Sequence, residues 1–350
     1  IYPDFDLNDP HIFNIWNFRK SDKMIEQGIY KMEDIYSSSL ASELNERQYL
    51  QVSKTVKNIS GEDIDSELFN KMNTWEYPLH FIDFETCMIA IPFYKDKFPY
   101  EQIAFQFSCH TLHKDGRIEH NEWIESDANK FPNYNFVRAL KNILDKDQGS
   151  IFRYSAHENT VLLQIQKQMM DSDDKKYAEL IDWIDTITKR KDPHTKAPIE
   201  GDRNMIDLLD YVKKYYYHPK MGGSNSLKYV LPAIFSTSDF IKNKYQNNMT
   251  FGTHLKNNIL WQCDSVTNET INPYKLLDNK YENENLNKEN ILFLNQKIQD
   301  GSAASMAYCK LQFAEMTNEE REILTDALLQ YCELDTLAML MIYEHWNSLR

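Results

Sequence analysis

His80-Phe81-Ile82-Asp83-Phe84-Glu85-Thr86 reads as a strand that carries two acids. Side chains alternate faces along a strand, so Asp83 and Glu85 share one side and Phe84 takes the other. Leu79, Phe81 and Ile82 make this a core strand, where an unpaired charge is costly. Two carboxylates held side by side repel each other unless a cation sits between them. Oxygen-only ligation favours Mg²⁺ or Mn²⁺ over zinc.

Working outward, Ile103-Ala104-Phe105-Gln106-Phe107-Ser108-Cys109-His110 alternates as a second strand, and Lys114-Asp115-Gly116-Arg117 is a tight-turn signal. Residues 118–124 alternate again as a third strand. A helix is expected near 133–144, a short strand at 151–154 and a helix from about 158 to 170. Three antiparallel strands followed by helix, strand and helix is how an RNase H-like fold begins. The expected class is therefore α/β, an RNase H-like mixed sheet with flanking helices.

Residues 1–75 are rich in charge and read as a small helical N-terminal segment, the tail of an upstream domain or a linker. Ser21 to Ile29 predicts a capped helix ended by Gly28, and a helical pattern resumes from Tyr30 to Tyr36. Helix–Gly–Ile–helix faintly resembles a helix-hairpin-helix but lacks its second glycine, so a plain helical pair is expected. The sheet domain is assigned to 76–350. Within it, 171–205 reads as loop around short helices, 207–217 as a helix, and Ser226 as the start of another. Poor periodicity predicts an irregular insertion near 238–300. The last helix runs from about Asn318 into the 340s, with Ile323, Leu324, Leu328, Leu329, Leu334, Leu337 and Leu340 as its apolar face.

The chain has 350 residues, 42% hydrophobic, enough for one large domain or two smaller ones. It has no apolar run long enough to cross a membrane, and Ile1-Tyr2-Pro3-Asp4 is not a signal peptide. Starting at isoleucine, it is expected to be a fragment or a processed product. Five scattered cysteines without Cys-x-x-Cys argue against a disulfide framework or a structural zinc, and for a reducing, cytoplasmic compartment. A net charge of −14 excludes a bulk polycation that coats duplex DNA. It is compatible with an acidic site that takes up metal cations and needs only a local basic rim.

Near the other end, Tyr331-Cys332-Glu333-Leu334-Asp335 places Tyr331 and Asp335 four residues apart, on one face of the last helix. Asp335 can ligate a metal while the Tyr331 hydroxyl holds an attacking water. A third acid is needed between the two motifs. Ile151-Phe152-Arg153-Tyr154-Ser155-Ala156-His157-Glu158-Asn159-Thr160 supplies Glu158 where a strand runs into a helix start. A helix-terminal acid that complements the dipole is the plainer account of the same residue. Asp182, Asp185 and Asp207 compete for the role. His157 and Asn159 flank Glu158 and could contact a phosphate or a base. Lys213, Lys214, Lys220 and Lys228 form a basic cluster, with Lys228 the candidate for substrate contact. Tyr100, Phe105, Tyr154 and Tyr215-Tyr216-Tyr217 are candidate stacking surfaces for single-stranded bases.

Asp83-x-Glu85, Glu158 and Tyr331-x-x-x-Asp335 resemble the ordered motifs of the DEDD exonucleases, in the subgroup with tyrosine in the third motif. The strings HFIDFET, PYEQIAFQFS, YSAHENTVL, GGSNSLKYVLPAI and YCELDTLAM are more similar still to an uncharacterised bacterial family of RNase H-like domains, often fused to a RecB-type nuclease-like region. The second motif of the wider superfamily usually ends in Asp, where this chain has Glu158. The resemblance implies a metal-dependent 3′→5′ exonuclease that releases nucleoside 5′-monophosphates from ends of single-stranded DNA or RNA. It implies two divalent cations, Mg²⁺ or Mn²⁺, one held by Asp83, Glu85 and Asp335, the other by Asp83 and Glu158. It also implies a nuclease-like domain upstream in the same protein. An RNase H-type endonuclease, a catalytically weak nucleic-acid-binding module and a metal-binding structural domain are the competing expectations.

Overall fold

A computed structural model describes residues 9–172, 174–277, 298 and 300–350. The N-terminal segment carries helices α1 (Ser21–Glu26), α2 (Met32–Tyr36), α3 (Glu46–Val56) and α4 (Glu67–Met72), with a two-residue strand β1 (Asp63–Ile64) between the last two. Gly28 turns the chain between α1 and α2 at a φ of 74°, a left-handed conformation that glycine adopts without steric cost. Ile12, Ile15, Met24, Met32, Ile35 and Val52 form a small core of their own. Leu68, Met72 and Trp75 belong instead to the main core, together with Phe81.

The strands β2 (Leu79–Cys87), β3 (Ile103–Leu112) and β4 (Ile118–Ile124) form the antiparallel meander that alternation predicts. Helix α5 (Asn133–Leu144), strand β5 (Ile151–Arg153) and helix α6 (His157–Asp171) follow, and β5 pairs parallel with β2. Next come α7 (Ala178–Ile187), a hairpin of β6 (Lys189–Lys191) and β7 (Pro198–Glu200), and β8 (Ile206–Asp207), which pairs parallel with β5. The main sheet has the order β4-β3-β2-β5-β8, the RNase H-like mixed sheet that the element order predicts. It differs from expectation at its margins. The segment read as loop around short helices holds a ten-residue helix and, unexpectedly, a hairpin. The helix read over 207–217 is α8 (Leu208–Tyr215), and its last two expected residues form β9 (Tyr216–Tyr217), antiparallel to β1.

Both faces of β2 are buried. Leu79, Phe81 and Cys87 face one core, and Ile82 and Phe84 face the other, with α5, α6 and α7. The first core is closed by α9 (Leu227–Thr237), α10 (Asp239–Tyr245), α11 (Gly301–Phe313) and α12 (Asn318–Ser348). The expected insertion thus includes α10. From 246 to 277 it is irregular apart from short turns, and 278–297 and 299 lie outside the described residues. Helix α12 is buried without interruption from Leu328 to Trp346, so it is a central helix packed on every side and not a surface helix with one apolar stripe. Among the described residues no helix is long and apolar enough to cross a membrane.

Candidate active site

Alternation along β2 sends Asp83 and Glu85 to the Phe81 side of the sheet, beneath α12. A register shift between Glu85 and Thr86 ends the regular ladder just past the second acid. Glu158 lies in the first turn of α6 and is 1% exposed. Tyr331 and Asp335 sit one turn apart on α12, both buried. A strand and two helices therefore deliver four carboxylates to one place.

Their electrostatics follow from that convergence. Burial, then the charges of Asp335, Glu158 and Glu85, hold the Asp83 carboxyl well above the usual carboxylate range. Burial and Asp335 do the same to Glu85, with Lys228 pulling the other way. Burial pushes Glu158 up to about 8. Asp335 rises only to about 6, because hydrogen bonds from Tyr274 and Tyr331 and the charge of Lys228 offset part of its burial. Burial also raises the Tyr331 hydroxyl, which stays protonated and able to donate.

Whether metal ions fit can be judged from the donors. Asp83, Glu85 and Cys332 each offer an atom within 4.8 Å of the others. Glu158 Oε2 is buried with no hydrogen-bond partner among the described residues. These are acceptors and like charges without enough donors between them, which is the deficit a cation corrects. Cys332 is not a thiolate: burial and the neighbouring acids push its thiol far up, and it donates to Asp83 Oδ2 at 3.7 Å and to the Asp83 carbonyl at 3.6 Å. The remaining donors are carboxylate oxygens, the set that suits Mg²⁺ or Mn²⁺.

A cavity of about 510 Å³ opens on Asp83 and Asp335, lined by Trp16, Tyr154, Lys213 and Lys228 among others. Lys228 Nζ lies 5.2 Å from the centre of the Tyr331 ring and 5.5 Å from that of Tyr274. The four lysines of the sequence cluster part company: Lys214 and Lys220 line two other cavities. Of the flanking residues, His157 is exposed and its Nε2 lies 3.2 Å from Thr86 Oγ1 at the end of β2. Asn159 is occupied by backbone, giving 2.9 Å to the Lys189 carbonyl and taking 2.8 Å from its N–H. The competing Asp207 is held by Arg153 at 2.8 Å and by the N–H groups of Ser155 and Leu209 at 2.9 and 3.1 Å. Asp185 is paired with Arg190 at 2.9 Å. Phe105 stacks on Tyr308 in the core at 4.0 Å, and Tyr215, Tyr216 and Tyr217 are buried.

Two contributors were not read from the sequence. Tyr274, in a short turn (Pro273–Lys275) of the irregular stretch, donates its hydroxyl to Asp335. Asn272 fixes that turn, accepting 3.1 Å from the Tyr274 N–H and donating 3.1 Å to the Lys228 carbonyl. Asn-Pro-Tyr is legible as a turn start, but nothing local says what the tyrosine reaches. Trp16, from the N-terminal segment, walls the cavity.

Residues 80–226 match a family model. Its description is Domain of unknown function (DUF2779). The matched stretch holds Asp83, Glu85 and Glu158, while Lys228, Tyr331 and Asp335 lie beyond it. No curated protein and no solved structure matches the chain.

Proposed function

We propose that the chain is a metal-dependent 3′→5′ exonuclease that hydrolyses single-stranded DNA or RNA to nucleoside 5′-monophosphates. The observation that carries this reading is the meeting of Asp83, Glu85, Glu158 and Asp335 beside an open cavity with two lysines on its wall. Asp83, Glu85 and Asp335 would hold one Mg²⁺ or Mn²⁺, and Asp83 with Glu158 a second. What the bound ions supply is a lowered pKa for a water and neutralisation of the charge that develops on the leaving 3′ oxygen. Tyr331, protonated and beside Asp335, orients the attacking water by hydrogen bonding. Lys213 and Lys228 draw the phosphates of an incoming strand into an otherwise acidic site. The polarity is that of the exonucleases whose motif order the chain resembles. A nuclease-like region upstream in the same protein belongs to this reading. So does a cytoplasmic setting, supported by five unbridged cysteines.

The test is digestion of end-labelled single strands, DNA and RNA, with Mg²⁺ or Mn²⁺. The expected result is a ladder that shortens from the 3′ end with mononucleotide product. Tyr331→Phe slows the chemical step by ~10–100-fold with little change in KM. Internal cuts would replace this reading with an endonuclease. No cleavage of any substrate, despite metal binding, would leave a nucleic-acid-binding module.

A further inference from the structure

A second polar cluster lies on the other side of α12, since Glu333 and Asp335, two residues apart on a helix, point about 200° from each other. It joins Ser108 and His110 of β3, His120 of β4, Thr253, and Glu333 and Thr336 of α12. Hydrogen bookkeeping decides what it can bind. Thr336 has one hydroxyl hydrogen, donated to the Glu333 carbonyl at 3.0 Å. Its 2.8 Å contact with His110 Nδ1 therefore uses the ring's hydrogen, and its 2.7 Å contact with Ser108 uses the serine's. Ser108, having donated, accepts at 2.9 Å from His120 Nε2. Burial lowers the pKa of both rings, so each is neutral and carries a single N–H. Both N–H groups are thereby placed, so His120 Nδ1 accepts from the Thr253 hydroxyl, and His110 Nε2 is left as a bare lone pair.

The Glu333 carboxylate stands beside both rings. His110 Nε2 is fully buried and has no hydrogen-bond partner among the described residues. His120 Nδ1 lies 3.7 Å from Glu333 Oε1 and 2.8 Å from the Thr253 hydroxyl. His110, His120 and Glu333 each offer an atom within 4.8 Å of the other two. Glu333 is held in place by the N–H groups of Thr253, His254 and Leu255 at 2.8, 2.7 and 3.1 Å. The loop approaches so closely that a Cβ on Gly252 would lie 2.4 Å from Glu333 Oε1.

We propose that His110 Nε2, His120 Nδ1 and Glu333 Oε1 hold a zinc-class dication, with the Thr253 hydroxyl or a water as fourth ligand. Two imidazoles and a carboxylate are a set that Zn²⁺ takes. Thr336 and Ser108, bonded to the opposite ring nitrogens, fix the tautomers as outer partners of a metal site do. The absence of paired cysteines speaks only to thiolate sites. The ion would pin α12 to β3, β4 and the 252–255 loop, whether or not the carboxylate site is a nuclease.

Zn²⁺ and Co²⁺ alone are the probes, added to chelator-treated protein. Expected are about one tightly held Zn²⁺ per chain and the visible absorption of a nitrogen-ligated, low-coordinate Co²⁺. Both signals persist in Asp83→Asn. His110→Gln and His120→Gln each weaken Zn²⁺ binding by ~100-fold or more. If either variant misfolds by circular dichroism, X-ray absorption at the zinc edge of the unaltered protein decides. Imidazole scattering supports the site, and an oxygen-only shell overturns it. No tight Zn²⁺, or binding unchanged in both folded glutamine variants, overturns it as well and leaves a buried water in the gap.

Discussion

Asp83→Asn is expected to abolish metal-dependent hydrolysis while making the metal-free protein more stable. Asp83 is the acid on which the proposed cation sites converge, and an amide removes its charge without changing its shape. The loss in kcat is expected to be ~10³-fold or more. The gain in stability has a separate cause. The native chain holds Asp83 close enough to Asp335, Glu158 and Glu85 that they raise its pKa, with burial adding the largest share. Removing one of four mutually repelling acids relieves that load by ~1–2 kcal/mol at neutral pH. With excess Mn²⁺ the order reverses, because only the unaltered protein gains the full stabilisation of binding. Thermal unfolding of both proteins, with chelator and with Mn²⁺, checks this beside the activity assay. A variant less stable than the parent in chelator would mean that the carboxylate serves packing. Retained hydrolysis would remove Asp83 from the site.

Local periodicity made the centre of the fold legible. Strands β2, β3 and β4 alternate, α5 and α6 repeat every three to four residues, and a Lys-Asp-Gly-Arg turn joins β3 to β4. The margins were not legible, because they lack a period or a neighbour. Strands β1, β8 and β9 are two residues long, and β1 meets β9 through only two pairs, Asp63 with Tyr217 and Ile64 with Tyr216. Strand β6 is Lys189-Arg190-Lys191, whose charge conceals it. Helix α12 exposes a deeper limit. Its apolar residues suggested a single buried face, yet Thr336, Glu333 and His345 are buried too. Each meets a partner far away in sequence: Ser108 and His110 for Thr336, the 253–255 N–H groups for Glu333, Glu62 for His345. A polar residue looks exposed until its partner is known.

The site divides along the same line. Asp83 with Glu85, and Tyr331 with Asp335, follow from strand and helix geometry alone. Lys228 belongs to a basic cluster in the sequence, and only folding separates it from Lys214 and Lys220. Tyr274 and Trp16 could not be found from local pattern, since their use depends on chain segments brought in from outside the sheet.

The stability of the metal-free protein should fall as pH rises from about 6.5 to 8, against the usual trend for a protein that loses buried ion pairs in acid. Glu158 has an ordinary value of 4.5 and is held near 8 by burial. Asp335 starts from 3.8 and is held near 6, again chiefly by burial. In this window the native state keeps protons that the unfolded chain has released, so raising the pH favours unfolding. The stability these acids confer is complete below their unfolded values and is lost as pH passes through 6 and then 8. Between pH 6.5 and 8 the drop is on the order of 2 kcal/mol for Glu158 if its burial persists. Below about 6.5 the histidines whose pKa burial lowers, His110, His120 and His218 (to about 4) among them, act the other way, because there the unfolded chain binds protons that the native state does not, so the fall is clear only above 6.5. Asp326 and Glu122 raise the pKa of His254 to about 10, so its contribution is complete below about 6.5, declines from there to 10, and steepens the fall. Mn²⁺ or Mg²⁺ should flatten the curve above pH 6, because a cation replaces the protons that the carboxylates would otherwise retain. Denaturant unfolding at pH 5, 6.5 and 8, with chelator and with Mn²⁺, measures both effects. Glu158→Gln should remove the share of that slope due to Glu158 in chelator, leaving the share of Asp83 and Glu85, whose carboxyls burial also holds up. A metal-free curve that is flat or rises between pH 6.5 and 8 would mean that these acids are not clustered in the buried arrangement from which the proposed activity follows.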